Sequence, residues 1–120
     1  MRSELPKPLV PVGGRAIVLR LIDALQAADV ADIVVVVGHG AEQVRAALPT
    51  GVRTVLQEVR DGTAGALGCA RGAAAGFEEL LVFVGDSPLV SARSIRRLLA
   101  HRREHDLPAA FLTARFPLSL

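Results

Sequence analysis

The chain has 120 residues and a formal net charge of +2, from 14 basic and 12 acidic side chains. This length suits one domain with one core, and so small a charge does not favour nucleic acid or an anionic membrane as the main partner. Hydrophobic residues make up 51% and aromatic residues only 3% of the chain, which excludes a disordered protein and a surface for stacking bases.

The N-terminal part of the sequence predicts a loop and then a helix. Residues 5–14 contain three prolines and end in Gly-Gly. Because proline removes backbone donors and disfavours α-helix, we predict an extended loop that closes in a sharp turn. Over about residues 16–28, the apolar side chains of Ile17, Leu21 and Leu25 recur at helical spacing. This pattern predicts a mostly buried helix.

The next segments predict a strand, a short helix and a second strand. Residues 33–37 are one isoleucine and four valines without alternation, which is typical of a covered parallel strand. His39 follows and could contact a ligand at the strand's carboxyl end. With no second ligand residue nearby, a hydrogen-bonded loop histidine is favoured over a metal ligand. Residues 41–48 predict a helix stopped by Pro49, and residues 52–57 alternate as in a strand nearer a sheet edge.

A glycine-containing loop at residues 60–66 leads into a helix of small residues that we expect to reach about Ala75. Backbone amides at such a helix start can hold a nucleotide base or a phosphate. The alternative is that the small residues only allow close packing.

Residues 80–84 are five consecutive apolar residues and predict a strand buried on both faces of a parallel sheet. Ligands of open α/β sheets bind beyond the carboxyl ends of the strands. Asp86 would then lie at the rim of a site, where a carboxylate suits a divalent cation, and Gly85 would let a ligand approach the backbone. The alternative is that Asp86 begins an Asx or proline turn.

The C-terminal part predicts a helix capped by Ser91 that ends near residues 106–108, and a last strand at residues 109–114. Five arginines lie close together there, and we expect a solvated face rather than an RNA-binding patch: Arg93, Arg96, Arg97, Arg102 and Arg103. The alternation of helices and strands predicts one domain with right-handed crossovers and a parallel, three-layer α/β sheet.

The single cysteine, Cys69, can form no disulfide within the chain, which fits a cytoplasmic location. It lies among small residues, so we expect it to fill space in the packing. The sequence shows no apolar run long enough for a bilayer and no signal-peptide pattern. We therefore expect a cytoplasmic protein without a membrane partner.

Four short motifs together resemble the sugar-1-phosphate nucleotidyltransferase family, most closely the uridylyltransferase domain of the bacterial bifunctional N-acetylglucosamine-1-phosphate uridylyltransferases/glucosamine-1-phosphate acetyltransferases. They are LPKPL at 5–9, VGHG at 37–40, VLQ at 55–57 with Gly62 and Thr63 after it, and GDSPL at 85–89. Each motif is weak alone, but their order and spacing are fairly specific and cover nearly the whole chain.

The resemblance implies a Rossmann-like nucleotidyltransferase fold with a mostly parallel sheet. It implies transfer of UMP from UTP to N-acetylglucosamine-1-phosphate, which gives pyrophosphate and UDP-N-acetylglucosamine, a cell-wall precursor. By the same resemblance Lys7 would bind the phosphates and Asp86 would bind the cofactor Mg²⁺, both as catalytic residues. The substrate would be held by Gln57, Gly62 and Thr63 at the uracil and ribose, with Gly85 beside it.

The sequence also departs from the family. In the family, a first strand and a glycine-rich Leu-x-x-Gly-x-Gly-Thr-Arg loop come before the residues that Met1-Arg2-Ser3 resemble, and this sequence does not contain them. It also does not contain the family's later sugar-binding segments and second metal ligand, which would follow residue 120. We therefore expect residues 1–120 to be a partial nucleotidyltransferase domain with the first strand missing, inactive alone. The alternatives are another sugar-nucleotide or molybdenum-cofactor-type NTP transferase, or a non-catalytic nucleotide-binding fragment.

Overall fold

A computed structural model describes residues 5–87 and 89–113 of the chain. Its helices combine with one short parallel and one short antiparallel sheet, so the protein belongs to the α/β class. The elements are, in chain order, a 3-10 helix at Lys7–Leu9, β1 (Pro11–Val12), β2 (Arg15–Ala16), α1 (Ile17–Ala27), β3 (Val34–Val37), α2 (Ala41–Ala47), β4 (Arg53–Leu56), α3 (Gly62–Cys69), α4 (Arg71–Ala74) and α5 (Ala92–Glu104).

The N-terminal segment is more ordered than the predicted extended loop. Lys7–Leu9 forms a 3-10 helix closed by the bond from the Leu9 amide to the Pro6 carbonyl at 2.9 Å. Proline is compatible with this helix because its fixed φ suits the first turn. The predicted sharp turn is confirmed, since Gly13 and Gly14 join β1 to β2 with φ of +58° and +81°.

The core lies between α1 and α5. The predicted helix is confirmed as α1, which buries Val18, Leu21, Ile22 and Leu25. Ile95 of α5 packs in the same cluster and is 0% exposed. The predicted cap of α5 is also confirmed, because the Ser91 hydroxyl accepts a hydrogen bond from the Ser94 amide at 3.1 Å. Helix packing therefore supplies most of the core.

The predicted strands at 33–37 and 52–57 are confirmed as β3 and β4, which pair in parallel from Val34 opposite Arg53 to Val37 opposite Leu56. The β-branched side chains of β3 suit a pleated, half-buried surface. The predicted short helix is confirmed as α2, which forms the crossover between the two strands and buries Val44.

The strand predicted at residues 80–84 is wrong. This segment has no regular secondary structure and, within the described residues, forms no backbone hydrogen bond. Leu80, Val82 and Val84 are each more than half exposed, at 56%, 55% and 56%, while Leu81 and Phe83 pack against the core. A strand needs a partner edge, and β3 pairs only with β4 among the described residues. The predicted burial on both faces is therefore absent.

Two further predictions need correction. Residues 109–113 form no strand, and Ala114 lies outside the described residues. The single helix predicted up to Ala75 is divided into α3 and α4 at Ala70. The seven-residue stretch 62–68 contains three glycines, and glycine lowers helix stability, which is in keeping with this break. A three-layer arrangement around one sheet stays a prediction.

A groove of about 1170 Å³ runs through the middle of the described structure. It is bounded by α1, β3, α3 and α5 and by residues 79–85. The apolar side chains of Val34, Val36 and Val82 line it. Its lining thus includes residues of β3 and residues of a segment without backbone partners among the described residues. The missing first strand that the resemblance implies stays a prediction.

The surface confirms one prediction and contradicts another. Arg93, Arg96 and Arg97 are exposed, as expected for a solvated face. Cys69 is exposed as well, so its predicted role in packing is wrong, because α3 buries none of its residues. Within residues 5–87 and 89–113, none of the helices has the length and apolar character needed to cross a membrane.

Candidate functional site

The carboxyl ends of β3 and β4 lie side by side and position the residues that follow them. The Gln57 amide donates to the Val37 carbonyl at 2.8 Å and so continues the ladder past β4. Gly38 follows β3, and a Cβ placed there would be 3.8 Å from the Gln57 carbonyl oxygen. Gln57 therefore begins its loop directly at the end of the parallel pair.

The groove reaches this edge of the sheet. Four of the predicted site residues line the groove, namely Gln57, Gly62, Thr63 and Gly85. His39 lines it too, as does Gly38. Ligands of α/β proteins bind beyond the carboxyl ends of parallel strands. The chain thus brings the predicted base-binding and ribose-binding residues to the expected edge.

Lys7 and Asp86 do not line this groove. Lys7 is exposed in the 3-10 helix, which packs against α1 and α2. Its neighbour Pro6 lies so close to Gly40 that a Cβ at Gly40 would overlap the proline ring. Asp86 is exposed in a turn. The two charged residues predicted for phosphate and metal are therefore not part of the lining that the other four share.

The described residues offer little for a resident metal ion. No group of three histidine, cysteine, aspartate or glutamate side chains that could hold a metal occurs among residues 5–87 and 89–113. Mg²⁺ is commonly bound by one or two carboxylates together with substrate phosphates. The single exposed carboxylate of Asp86 fits an ion that arrives with phosphates, and does not fit an ion held by the chain alone.

The side-chain amide of Gln57 is held by its own loop. Its Nε2 atom donates to Oδ1 of Asp61 at 2.9 Å and to the Gly62 carbonyl at 3.3 Å. Asp61 directly precedes α3 but makes no capping hydrogen bond with its side chain. Asp61 is not among the site residues predicted from the sequence. The sequence signal for this contact is that Gln57 and Asp61 are polar residues four positions apart, on either side of a tight loop.

Arg60 is a second residue without an assigned role that lines the groove. It is exposed and lies between Gln57 and the start of α3. A guanidinium there could contact phosphate oxygens. The signal in the sequence was its place beside the glycine-containing loop.

The groove is bordered elsewhere by an ion-pair cluster around Glu79. Its carboxylate lies 2.6 Å from Nη1 of Arg102 and 2.5 Å from Nη2 of Arg103. The hydrogen bond from Arg103, with the positive charge of both arginines, lowers the pKa of Glu79 although burial opposes this change. The same bond raises the pKa of Arg103. The cluster ties the start of residues 80–84 to α5, which is a structural role.

Residues 1–117 match the MobA-like NTP transferase domain family, so the chain belongs to this family. This agrees with the nucleotidyltransferase resemblance of the four sequence motifs. It also agrees with a groove that reaches the carboxyl ends of the parallel strands.

The relatives it resembles include proteins named bifunctional protein GlmU. The chain is 42% identical over 115 residues to that of Syntrophomonas wolfei, which covers 94% of this chain and 25% of the relative. It is 46% identical over 96 residues to the protein of Sinorhizobium medicae, an alignment that covers 77% of this chain and 21% of the relative. It is 42% identical over 118 residues to the protein of Brevibacillus brevis, an alignment that covers 98% of this chain and 26% of the relative. The chain thus spans about a quarter of the length of these relatives.

Proposed function

We propose that the chain is the nucleotide-binding part of a transferase that moves UMP from UTP to N-acetylglucosamine-1-phosphate. The observation that carries this proposal is that Gln57, Gly62, Thr63 and Gly85 line one groove, which reaches the carboxyl ends of β3 and β4. These residues come from two separate motifs of the sequence, one at residues 55–63 and one at residues 85–89. The similarity to proteins named GlmU supports this choice of substrates.

The proposed reaction is an in-line displacement at the α-phosphorus of UTP. A phosphate oxygen of the sugar phosphate forms the new bond to that phosphorus, and the bond to the bridging oxygen of the β-phosphate breaks. Pyrophosphate leaves with the electron pair of the broken bond. Such a reaction needs positioning and charge stabilisation rather than a covalent nucleophile.

The chain's residues would divide these tasks between two regions. In the groove, Gln57 would hydrogen bond to the base, and the backbone of Gly62 and Thr63 would contact the base and ribose. Gly85 carries no side chain, so substrate could approach its backbone closely. Lys7, outside the groove lining, would contact the phosphates if they extend from the groove towards the 3-10 helix.

Magnesium is part of the proposal through Asp86 alone. Bound there with the phosphates, the ion would neutralise charge on their oxygens. Asp86 would hold one side of the ion, and the phosphates would supply further ligands.

A second candidate function is nucleotide binding without transfer. The observation that favours it is the position of Lys7 and Asp86, neither of which lines the groove with the other predicted residues. In this case Gln57, Gly62 and Thr63 would still bind a nucleotide. Lys7 and Asp86 would not contact its triphosphate and so would not stabilise the charge on it.

Pyrophosphate release from UTP and N-acetylglucosamine-1-phosphate distinguishes the two functions. The assay compares this chain, the Brevibacillus brevis relative, and a chimera in which residues 1–117 replace the matching part of that relative. We expect little turnover by the chain alone and clear turnover by the chimera, reduced by Gln57→Ala. An inactive, folded chimera beside an active relative would contradict transfer, and nucleotide binding by that chimera would favour the second function.

A further inference from the structure

Gln57 lines the groove, and only one of its two polar side-chain atoms, Oε1, lacks a hydrogen-bond partner among the described residues. Both hydrogens of Nε2 face acceptors of the chain, which are Oδ1 of Asp61 at 2.9 Å and the Gly62 carbonyl at 3.3 Å. Because neither partner can donate, the orientation of the amide group is fixed by its surroundings. No described residue donates to Oε1 of Gln57. The side chain therefore offers an incoming ligand one hydrogen-bond acceptor.

Asp61 is placed for this contact by the first turn of α3. Its carboxylate lies over Gly65, where a Cβ atom would overlap both carboxylate oxygens. Within the described residues the carboxylate accepts a hydrogen bond only from Gln57 and does not cap α3. The glycine at position 65 thus leaves the space that Asp61 occupies, and Asp61 in turn holds Gln57.

We propose that Asp61 is a positioning residue that keeps Gln57 as an acceptor and so selects nucleobases with a ring N–H. Uracil and guanine carry such a donor on their hydrogen-bonding edge. At the same ring position cytosine and adenine carry a lone pair, which Oε1 repels. This inference rests on the proposed function, because it needs a base beside Gln57.

Three variants distinguish the effect of Asp61 on the orientation of the Gln57 amide from the effect of its negative charge. Asp61→Ala removes the shorter of the two hydrogen bonds of Nε2 and leaves only the longer one to the Gly62 carbonyl. The amide can then rotate more easily and offer either atom to a base. Asp61→Asn keeps an acceptor oxygen and should keep the orientation. Glu58→Ala removes a negative charge from the same loop, and Glu58 is exposed without a hydrogen bond among the described residues. Removal of charge alone would change the affinity for all four nucleotides by the same factor.

The experiment measures dissociation constants of UTP, CTP, GTP and ATP for the full 120-residue chain, by calorimetry or NMR titration. In Asp61→Ala, the preference for UTP over CTP should fall roughly 3- to 10-fold, the effect of one hydrogen bond. The preference for GTP over ATP should fall in the same direction. Asp61→Asn and Glu58→Ala should keep the wild-type ratios. Without ligand, the Nε2 protons of Gln57 should exchange faster with water in Asp61→Ala.

The possible outcomes test the positioning role of Asp61 separately from the proposed function. If the wild-type chain binds UTP and Asp61→Ala leaves both preferences unchanged, the inference is wrong and the proposed function stands. An equal loss of affinity for all four nucleotides would show a structural role for Asp61 and would also overturn the inference. If the wild-type chain binds none of the four nucleotides, both the inference and the proposed function are overturned.

Discussion

Gly65→Ala should disturb Gln57 without unfolding the protein. The new Cβ atom would overlap the Asp61 carboxylate, so this side chain must rotate away and give up its bond to Nε2 of Gln57. The matched control is Gly68→Ala in the same helix, where a Cβ atom meets nothing within 4 Å. The pair therefore differs mainly in whether Asp61 is displaced.

The magnitude follows from two opposing contributions. Replacing glycine by alanine inside a helix stabilises it by about 0.5–1 kcal/mol. Losing one solvent-exposed hydrogen bond costs about 1 kcal/mol. Gly68→Ala should thus raise the free energy of unfolding by about 0.5–1 kcal/mol, while Gly65→Ala should leave it nearly unchanged. For a chain of 120 residues a difference of this size corresponds to about 2–4 °C in Tm.

The assay is urea and thermal unfolding of both variants beside the wild type, followed by circular dichroism. NMR spectra of the Gln57 side chain report on the amide directly, and they should change in Gly65→Ala only. Equal stabilisation of the two variants, with unchanged Gln57 signals in both, would show that Asp61 does not hold Gln57 in solution.

Three further predictions concern other parts of the chain. In hydrogen exchange, amides at residues 80–84 should lack protection, whereas the Gln57 amide, hydrogen bonded to β3, should be protected; protected amides at 80–84 would contradict the unpaired segment. The hydrogen bond from Arg103 lowers the pKa of Glu79 below its ordinary value of 4.5. The ionised Glu79 side chain therefore contributes to stability above pH 4.5, and this contribution is lost as the pH falls through the pKa of Glu79 in the folded state. The stability difference between wild type and Glu79→Gln should therefore shrink at acid pH, and a constant difference would argue against this. Mg²⁺ should bind weakly unless UTP is present, and Asp86→Asn should weaken only that UTP-dependent binding; tight binding to the free chain, unaffected by the substitution, would reject the assignment.

Local patterns in the sequence predicted the elements that depend on local interactions. The periodicity of α1, the valine run of β3 and the Ser91 cap of α5 each carry their own physical cause within a few residues. The structure agrees with all three. The helical periodicity and the cap do not depend on distant parts of the chain, whereas β3 also needs its parallel partner β4.

The predictions that failed depend on distant partners. Residues 80–84 have the composition of a buried strand, but a strand needs a neighbouring edge, and composition does not show whether one is present. Cys69 likewise depends on what covers α3, which buries none of its residues. In the candidate site, the motifs indicated Gln57 and Thr63 through resemblance. For Asp61 the sequence offers only a polar residue four positions after Gln57, and its contact with Gln57 is established by the three-dimensional arrangement of the loop.

The most direct test of the nucleotide site is a residue-resolved NMR titration of the chain with UTP, with inorganic triphosphate as the control for binding of charge alone. We predict that UTP shifts the signals of Gly38, Gln57, Gly62, Thr63 and Gly85, which line the groove. Inorganic triphosphate should leave the Gln57 side chain unchanged. Shifts confined to the arginine-rich face of α5 with both ligands, or no shift with UTP, would contradict a nucleotide site at the carboxyl ends of β3 and β4.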